Sequence, residues 1–309
     1  MMEGNREENF PKPDELQYDL VMVVTCINDN YIMKMINSVI KNNDSIFILV
    51  LFINQSDLVF EFTSLNAFVS IETIVSCKIS SSKARNLGIK YLLERNIKFA
   101  HIMFPDDDST FPEIFFEKYR EQIFGNINYL IAVYCDGTKK NYKKNKYSHG
   151  EVLGRYNYNA ALSVALIINY KTFTKVGFLD ERMGVGAKYG AGEDADYYIR
   201  ACDIYIQGFI YNTMIYNYHP STSKKFSKMT LSQTIKKYVN YGNGVIYLLC
   251  KHKMYFKALS TCVRSIGGVI ISFIKLDFNL FIAYGIVFFT RLLMFLKCLI
   301  FPKKLYKNV

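Results

Sequence analysis

Three consecutive carboxylates, Asp106, Asp107 and Asp108, follow directly on the apolar run Phe99-Ala-His-Ile-Met-Phe104. Like charges this close repel and raise one another's pKa unless a cation neutralises them. Oxygen ligands of this kind suit Mg²⁺ or Mn²⁺, which keep several waters and take one or two carboxylates together with substrate phosphates. A polar turn capping a helix that begins near Pro112 is the plain alternative; three acids after a buried strand favour the metal. A second acidic group closes the segment Gly184-Val-Gly-Ala-Lys-Tyr-Gly-Ala-Gly-Glu193-Asp194-Ala-Asp196. Its four glycines permit close backbone approach to a ligand, and its acids fall on the first turn of a helix, where they complement the dipole. A carboxylate placed there can also take a proton from a hydroxyl.

Elements of alternating type must carry these groups. Leu20–Ile27, Ile46–Ile53, Phe68–Val75, Phe99–Phe104 and Tyr129–Tyr134 are short, mostly continuous apolar runs of strand length, the pattern of strands covered on both faces. Between them Ser82–Glu94 reads as a helix opened by a capping serine run, with Ala84, Leu87, Gly88 and Tyr91 on one face. That is a βαβ arrangement with a largely parallel sheet, whose ligands bind beyond the carboxyl ends of the strands. The apolar pattern stops from Asp136 to Tyr158, where Lys139, Lys140, Lys143, Lys144 and Lys146 predict a basic surface loop. Leu162–Ile168, a helix from Glu193 to about Gln207, and Phe209–Tyr218 complete this region.

The order of these motifs resembles the family 2 glycosyltransferases of the GT-A fold. It is carried by a first strand ending in Val-Val-Thr25, then Ser-Lys-Ala-Arg85-Asn86-Leu-Gly-Ile, the strand into Asp106-Asp107-Asp108, Gly-Phe-Leu-Asp-Glu-Arg, and Gly-Ala-Gly-Glu193-Asp194-Ala-Asp. The resemblance covers residues 20–220. It implies a Rossmann-like, mixed but mostly parallel sheet flanked by helices, and transfer of a sugar from a nucleotide diphosphate donor with inversion. On that analogy Thr25 and Arg85 lie near the nucleotide, Asp106 and Asp107 near the ribose and donor sugar, and Asp108 on a divalent metal, Mn²⁺ or Mg²⁺. Asp194 is then the general base, with Glu193 on the acceptor side, and His219 reaches the metal or diphosphate. Where the family often carries an acid that reads the base, this chain has Ile53-Asn54-Gln55-Ser56, so Asn54 becomes the candidate base contact.

The 309 residues carry a net charge of +11, half are apolar and 16% aromatic. Disorder and a small stapled scaffold are thereby excluded. Seven scattered cysteines without a C-x-x-C pair fit a reducing compartment. From Ser221 to Val309 there are 15 basic residues and one acid, Asp277, against 23 basic and 26 acidic residues elsewhere. Basic residues interleaved with apolar stretches suit an anionic membrane surface, not nucleic acid. On a helix from Lys253 to Lys275, with a kink expected at Gly267-Gly268, Lys253, Lys257, Arg264 and Lys275 share one stripe. Phe278–Thr290 is short for a span, and extending it to Phe301 admits Arg291 and Lys297.

The expected organisation is an extension at 1–19, a GT-A catalytic domain at 20–220 and a basic, apolar helical region at 221–309 that associates with the membrane. The expected function is metal-dependent, inverting sugar transfer to a polyprenyl-linked or other glycan acceptor in surface-polysaccharide synthesis, on the cytoplasmic face of the membrane. Attachment is expected to be peripheral or monotopic, with a single span as the alternative. Two other readings stand beside it. A sugar-nucleotide nucleotidyltransferase lacks support because Thr25-Cys-Ile-Asn, not a Gly-rich phosphate loop, follows the first strand. A catalytically silent membrane-bound scaffold would have no chemical need of both acidic groups.

Overall fold

Strands form where apolar residues run uninterrupted, and the two most continuous runs become the most enclosed strands. The computed structural model describes residues 16–27, 31–60, 62, 66–123, 125, 127–135, 138, 140–142, 147–221 and 230–301. Of the lysines expected in the basic loop, only Lys140 lies among them, as do only the last four residues of the 1–19 extension. The chain divides into two compact units.

The first unit, Met1–Lys78, Arg85–Phe178 and Arg200–Pro220, holds an eight-stranded sheet in the order β3-β2-β1-β4-β7-β5-β8-β6. Its strands are β1 (Tyr18–Cys26), β2 (Ile48–Asn54), β3 (Val69–Val75), β4 (Phe99–Met103), β5 (Asn128–Cys135), β6 (Val152–Leu153), β7 (Leu166–Asn169) and β8 (Phe209–His219). Every residue of β2 is buried, whereas in the edge strand β3 only Val69 is. β1, β2, β3 and β4 pair in parallel, as do β5 and β8. The four-residue β7 lies antiparallel to both β4 and β5, so the expected mixed, mostly parallel sheet is observed. Because β7 reverses direction twice, β4 and β8 run the same way and end on the same edge of the sheet.

Helices α1 (Ile32–Asn42), α2 (Ser81–Glu94), α3 (Glu113–Gln122), α4 (Tyr170–Val176) and α5 (Glu193–Ile204) alternate with the strands. Gly88 lets α2 close on β1: a Cβ there would lie 2.6 Å from Val23 Cγ1. Behind the sheet, His101 is fully enclosed, within 3.0 Å of the Tyr119 hydroxyl and 3.2 Å of the Ile127 carbonyl.

The second unit, Ile79–Ala84, Leu179–Ile199 and Ser221–Val309, is helical. It contains α6 (Leu231–Lys251), α7 (Tyr255–Ile274) and α8 (Phe278–Ile300), opened by a reciprocal capping box between Thr230 and Gln233. α7 is continuous, so the kink expected at Gly267-Gly268 is absent. Gly268 instead admits the Tyr284 ring of α8, 2.6 Å from where a Cβ would stand. The buried residues of α7 are small, Ala258, Cys262, Ser265 and Ser272, and those of α8 are Ala283, Val287, Met294, Phe295 and Cys298, while Phe256, Ile270, Phe273, Ile274, Phe289 and Leu293 face outward. Both helices are long and apolar enough to associate with a membrane.

Burial lowers the His101 pKa to about 4, an effect only partly offset by the Ile127 carbonyl. The unfolded chain, with an ordinary value near ~6.5, takes up the proton first as pH falls. The stability His101 contributes is therefore complete above that value and is lost progressively toward pH 4, amounting to about 3 kcal/mol. Thermal unfolding of wild type should weaken more steeply between pH 6.5 and 4 than that of His101→Asn; parallel profiles would refute this.

Candidate functional site

β4 ends at Met103, and the chain passes through Phe104-Pro105 to Asp106, whose backbone bridges to Thr25 on β1. β8 ends on His219 at the same edge. The two strand ends bring together what the sequence separates by more than a hundred residues. His219 Nε2 lies 3.1 Å from Asp108 Oδ1 and 3.4 Å from Asp106 Oδ2. The other Asp106 oxygen receives Arg85 from α2 at 2.9 Å and the Ser163 hydroxyl at 3.3 Å. Arg85 is buried and Asp108 nearly so, while Asp106 and Asp107 are half-buried. The Tyr142 ring packs edge-on against the imidazole with centroids 4.6 Å apart.

Burial alone would favour the neutral form of each of these groups. For Asp106 that tendency is overcome by the His219 and Arg85 cations, which hold its carboxyl below the ordinary range. For His219 burial again opposes charge, but hydrogen bonds to Asp106 and Asp108 prevail and raise its pKa to about 10. The imidazolium thus serves as counter-ion to two carboxylates that could not otherwise share so small a volume.

The same three side chains make a plausible donor set for a divalent metal. One ligand atom from each of Asp106, Asp108 and His219 falls within 4.8 Å of the others, and two carboxylate oxygens with one imidazole nitrogen suit Mn²⁺ well. His219 Nδ1 lies 3.0 Å from the Pro220 carbonyl. A carbonyl only accepts, so Nδ1 carries the proton and Nε2 is the nitrogen turned toward the carboxylates, the usual outer-shell orientation of a metal-binding histidine.

Not every expected residue joins this cluster. Thr25 is beside it through the backbone bridge to Asp106. Asn54, buried at the end of β2, closes its own turn: its amide donates to the Leu58 carbonyl at 2.7 Å, and its oxygen accepts from the Ser56 amide and hydroxyl. The side chain offered as a base contact is engaged locally.

Glu193, Asp194 and Asp196 open α5 in the second unit. Glu193 is buried and accepts from the Ser81 hydroxyl at 3.4 Å, Asp196 is fully buried, and Asp194 is half-buried. The glycines of this segment pack closely against the protein. Gly184, at φ +98°, would bring a Cβ within 2.6 Å of Ser81 Oγ and 3.0 Å of Glu193 Cδ, and Gly190 within 2.8 Å of Asn240 Cβ. Ser163 and Tyr142 were not foreseen at the metal-site cluster, because neither belongs to a motif and only the folded sheet brings them to it.

Solved structures resemble the chain. S. aureus TarS is similar at 14% identity and a TM-score of 0.47, over 76% of this chain, which spans 43% of that protein. TarS residues 1–349 are similar over 90% of both chains at 11% identity and a TM-score of 0.48. The mannosyltransferase PcManGT from Pyrobaculum calidifontis, solved with GDP-Man and Mn²⁺, is similar over 97% of this chain at 10% identity and a TM-score of 0.44. No protein-family model matches the chain, and no curated protein sequence matches it. At such identities and scores the likeness carries no argument about activity, which has to be read from the side chains.

Calorimetric titration with Mn²⁺ alone should give a binding event that weakens by at least about 10–100-fold in Asp108→Ala and in His219→Ala. Equal affinity in wild type and both variants would remove the metal from this cluster.

Proposed function

We propose that the chain is a metal-dependent, inverting glycosyltransferase that moves a sugar from a nucleotide diphosphate donor to a hydroxyl of a glycan acceptor. The observation that carries this reading is the Asp106–Asp108–His219 cluster at the shared carboxyl edge of β4 and β8, backed by Arg85. A carboxylate-and-imidazole site at that edge of an α/β sheet is suited to a diphosphate held through a divalent ion. When bound, Mn²⁺ or Mg²⁺ would offset the charge that develops on the departing diphosphate.

Arg85 and Ser163 hold Asp106 in a fixed orientation. Thr25, Arg85, Asp106 and Asp107 form the donor side, and Asn54 supports the turn after β2. Asp194 accepts the proton of the acceptor hydroxyl as its oxygen attacks the anomeric carbon, and the pair of the breaking carbon–oxygen bond leaves with the diphosphate. Attack opposite the leaving group inverts the centre. Glu193, tied to Ser81, lines the acceptor side.

The acceptor in this reading is lipid-linked, polyprenyl or of similar kind, in surface-polysaccharide synthesis, and the enzyme works at the cytoplasmic face of the membrane. The α7–α8 pair supports attachment. Lys257, Arg264 and Lys275 fall within about 20° of one another around α7, beside the outward arc of Phe256, Val263 and Ile270. Such a surface lies in the membrane plane, with its oil inward and its cations among anionic headgroups.

Asp194→Asn should keep donor binding and lower turnover by about 10²–10⁴, the usual range for a lost general base. The check is release of UDP or GDP from UDP- and GDP-sugars, and wild-type turnover would move the base elsewhere. Full-length protein should also pellet with vesicles containing phosphatidylglycerol and be partly released by salt, since exposed charges are screened over about 10 Å at 0.1 M. Protein that ignores such vesicles and stays soluble without detergent would defeat membrane attachment.

A further inference from the structure

The second unit contains a buried charge network that the sequence does not announce. Asp196, fully enclosed in the first turn of α5, receives Lys251 Nζ at 2.7 Å and His252 Nε2 at 2.8 Å. Lys251 also reaches Asp180 at 2.9 Å, and Asp180 is gripped by Arg182 through Nε and a terminal nitrogen, each at 2.8 Å. Tyr247, one turn earlier on α6, donates to the same Asp180 carboxylate at 3.3 Å and stacks on Tyr189 with centroids 4.0 Å apart. Gly244 seats α6 directly against the loop: a Cβ there would stand 2.4 Å from the Ala191 carbonyl oxygen. The end of α6 therefore holds the Gly-rich segment and the start of α5 as one piece.

Buried ion pairs are poor sources of stability, because desolvation consumes most of their Coulomb energy. What such a pair fixes well is geometry. Asp196 is two residues beyond Asp194, hence about 200° around the helix, so Lys251 and His252 grip the face of the first turn opposite to Asp194. Glu193, about 100° from Asp194, is tied separately to Ser81. Two of the three acids are anchored in directions away from the one assigned as base.

We propose that Lys251 and His252 are positioning residues that fix the orientation of Asp194 by clamping Asp196. This rests on Asp194 being the base of the transfer reaction. It makes the end of α6 part of the catalytic apparatus as well as the lead-in to the membrane helices: after Lys253, in a left-handed conformation at φ 59°, α7 begins at Tyr255. Cutting the chain after His219-Pro220 would thus remove the clamp along with the anchor.

The test uses full-length protein on phosphatidylglycerol-containing vesicles, with UDP-glucose, UDP-N-acetylglucosamine and GDP-mannose as donors. Lys251→Met should lower kcat by about 10–100-fold, the scale expected for slight misplacement of a reacting group, with donor KM unchanged. Lys251→Arg should recover much of that loss. Amide hydrogen exchange, which needs no substrate, should speed up in residues 184–196 of Lys251→Met while β1 and β4 stay protected. If Lys251→Met melts globally, His252→Phe decides, with a smaller kcat loss and the same local exchange. Wild-type kcat and exchange in a folded Lys251→Met, or in His252→Phe where the former does not fold, would overturn the clamp. Failure of the underlying assignment looks different: Asp194→Asn would then turn over normally, whatever the exchange experiment reports.

Discussion

Two carboxylates and an imidazole within hydrogen-bonding distance can persist only where charge balance is guaranteed, and the first unit is arranged to guarantee it. Asp106 and Asp108 come from one strand end, His219 from another, Arg85 from a helix and Ser163 from the turn before β7. The sheet must place β4 and β8 parallel with their ends level, which the interposed antiparallel β7 achieves. α2 must lie close enough to β1 for Arg85 to reach Asp106, and Gly88, one turn further along, makes room. Remove the imidazolium or the guanidinium and the carboxylates repel; the same oxygens are the ones that would hold the divalent ion proposed above. The arrangement is thus stable with its own counter-ions and ready to exchange one of them.

How much of this was legible follows from the range of the interactions involved. β1 to β5 and α2 were readable because a strand in a covered sheet shows an apolar run, and a helix beside it a short repeat. The Asp106–Asp108 turn was readable because strand and acids are contiguous. β7 is four residues long, and its direction depends on pairing with β4 and β5, which no local pattern encodes. Asn54 illustrates a related limit. Whether an asparagine at a strand end reads a ligand or closes its own turn depends on the carbonyl of Leu58 four residues on, a matter of loop path and not of residue type. Lys251 and Asp180 are 71 residues apart, so their pairing exists only in the fold.

The glycines teach the same distinction. In the run of four before the two acids, Gly184 and Gly190 are where the loop meets Ser81, Glu193 and Asn240. Their lack of a side chain is used to bring carboxylates and helices together, and positive φ at Gly184 and Gly192 lets the loop turn tightly into α5. Precision in the first turn of α5 therefore comes from packing on both sides of it.

On the membrane-attached reading proposed above, the cations of the two outer helices bear on how those helices would lie. Arg291, midway along α8, turns inward, donating to Ser265 Oγ at 2.8 Å and toward the Thr261 carbonyl, with its guanidinium beside Gly242 of α6. Its charge is met by these groups inside the unit, which lessens the objection it raised against burying α8. Arg264, midway along α7, is exposed. In a spanning hairpin it would sit near mid-bilayer, where an arginine costs about 2.5–3.5 kcal/mol even on the most lenient scale. In a helix lying flat the same residue meets headgroups along with Lys257 and Lys275, each worth about 1 kcal/mol of attraction to an anionic surface. On that reading the direction of this one arginine favours the flat orientation.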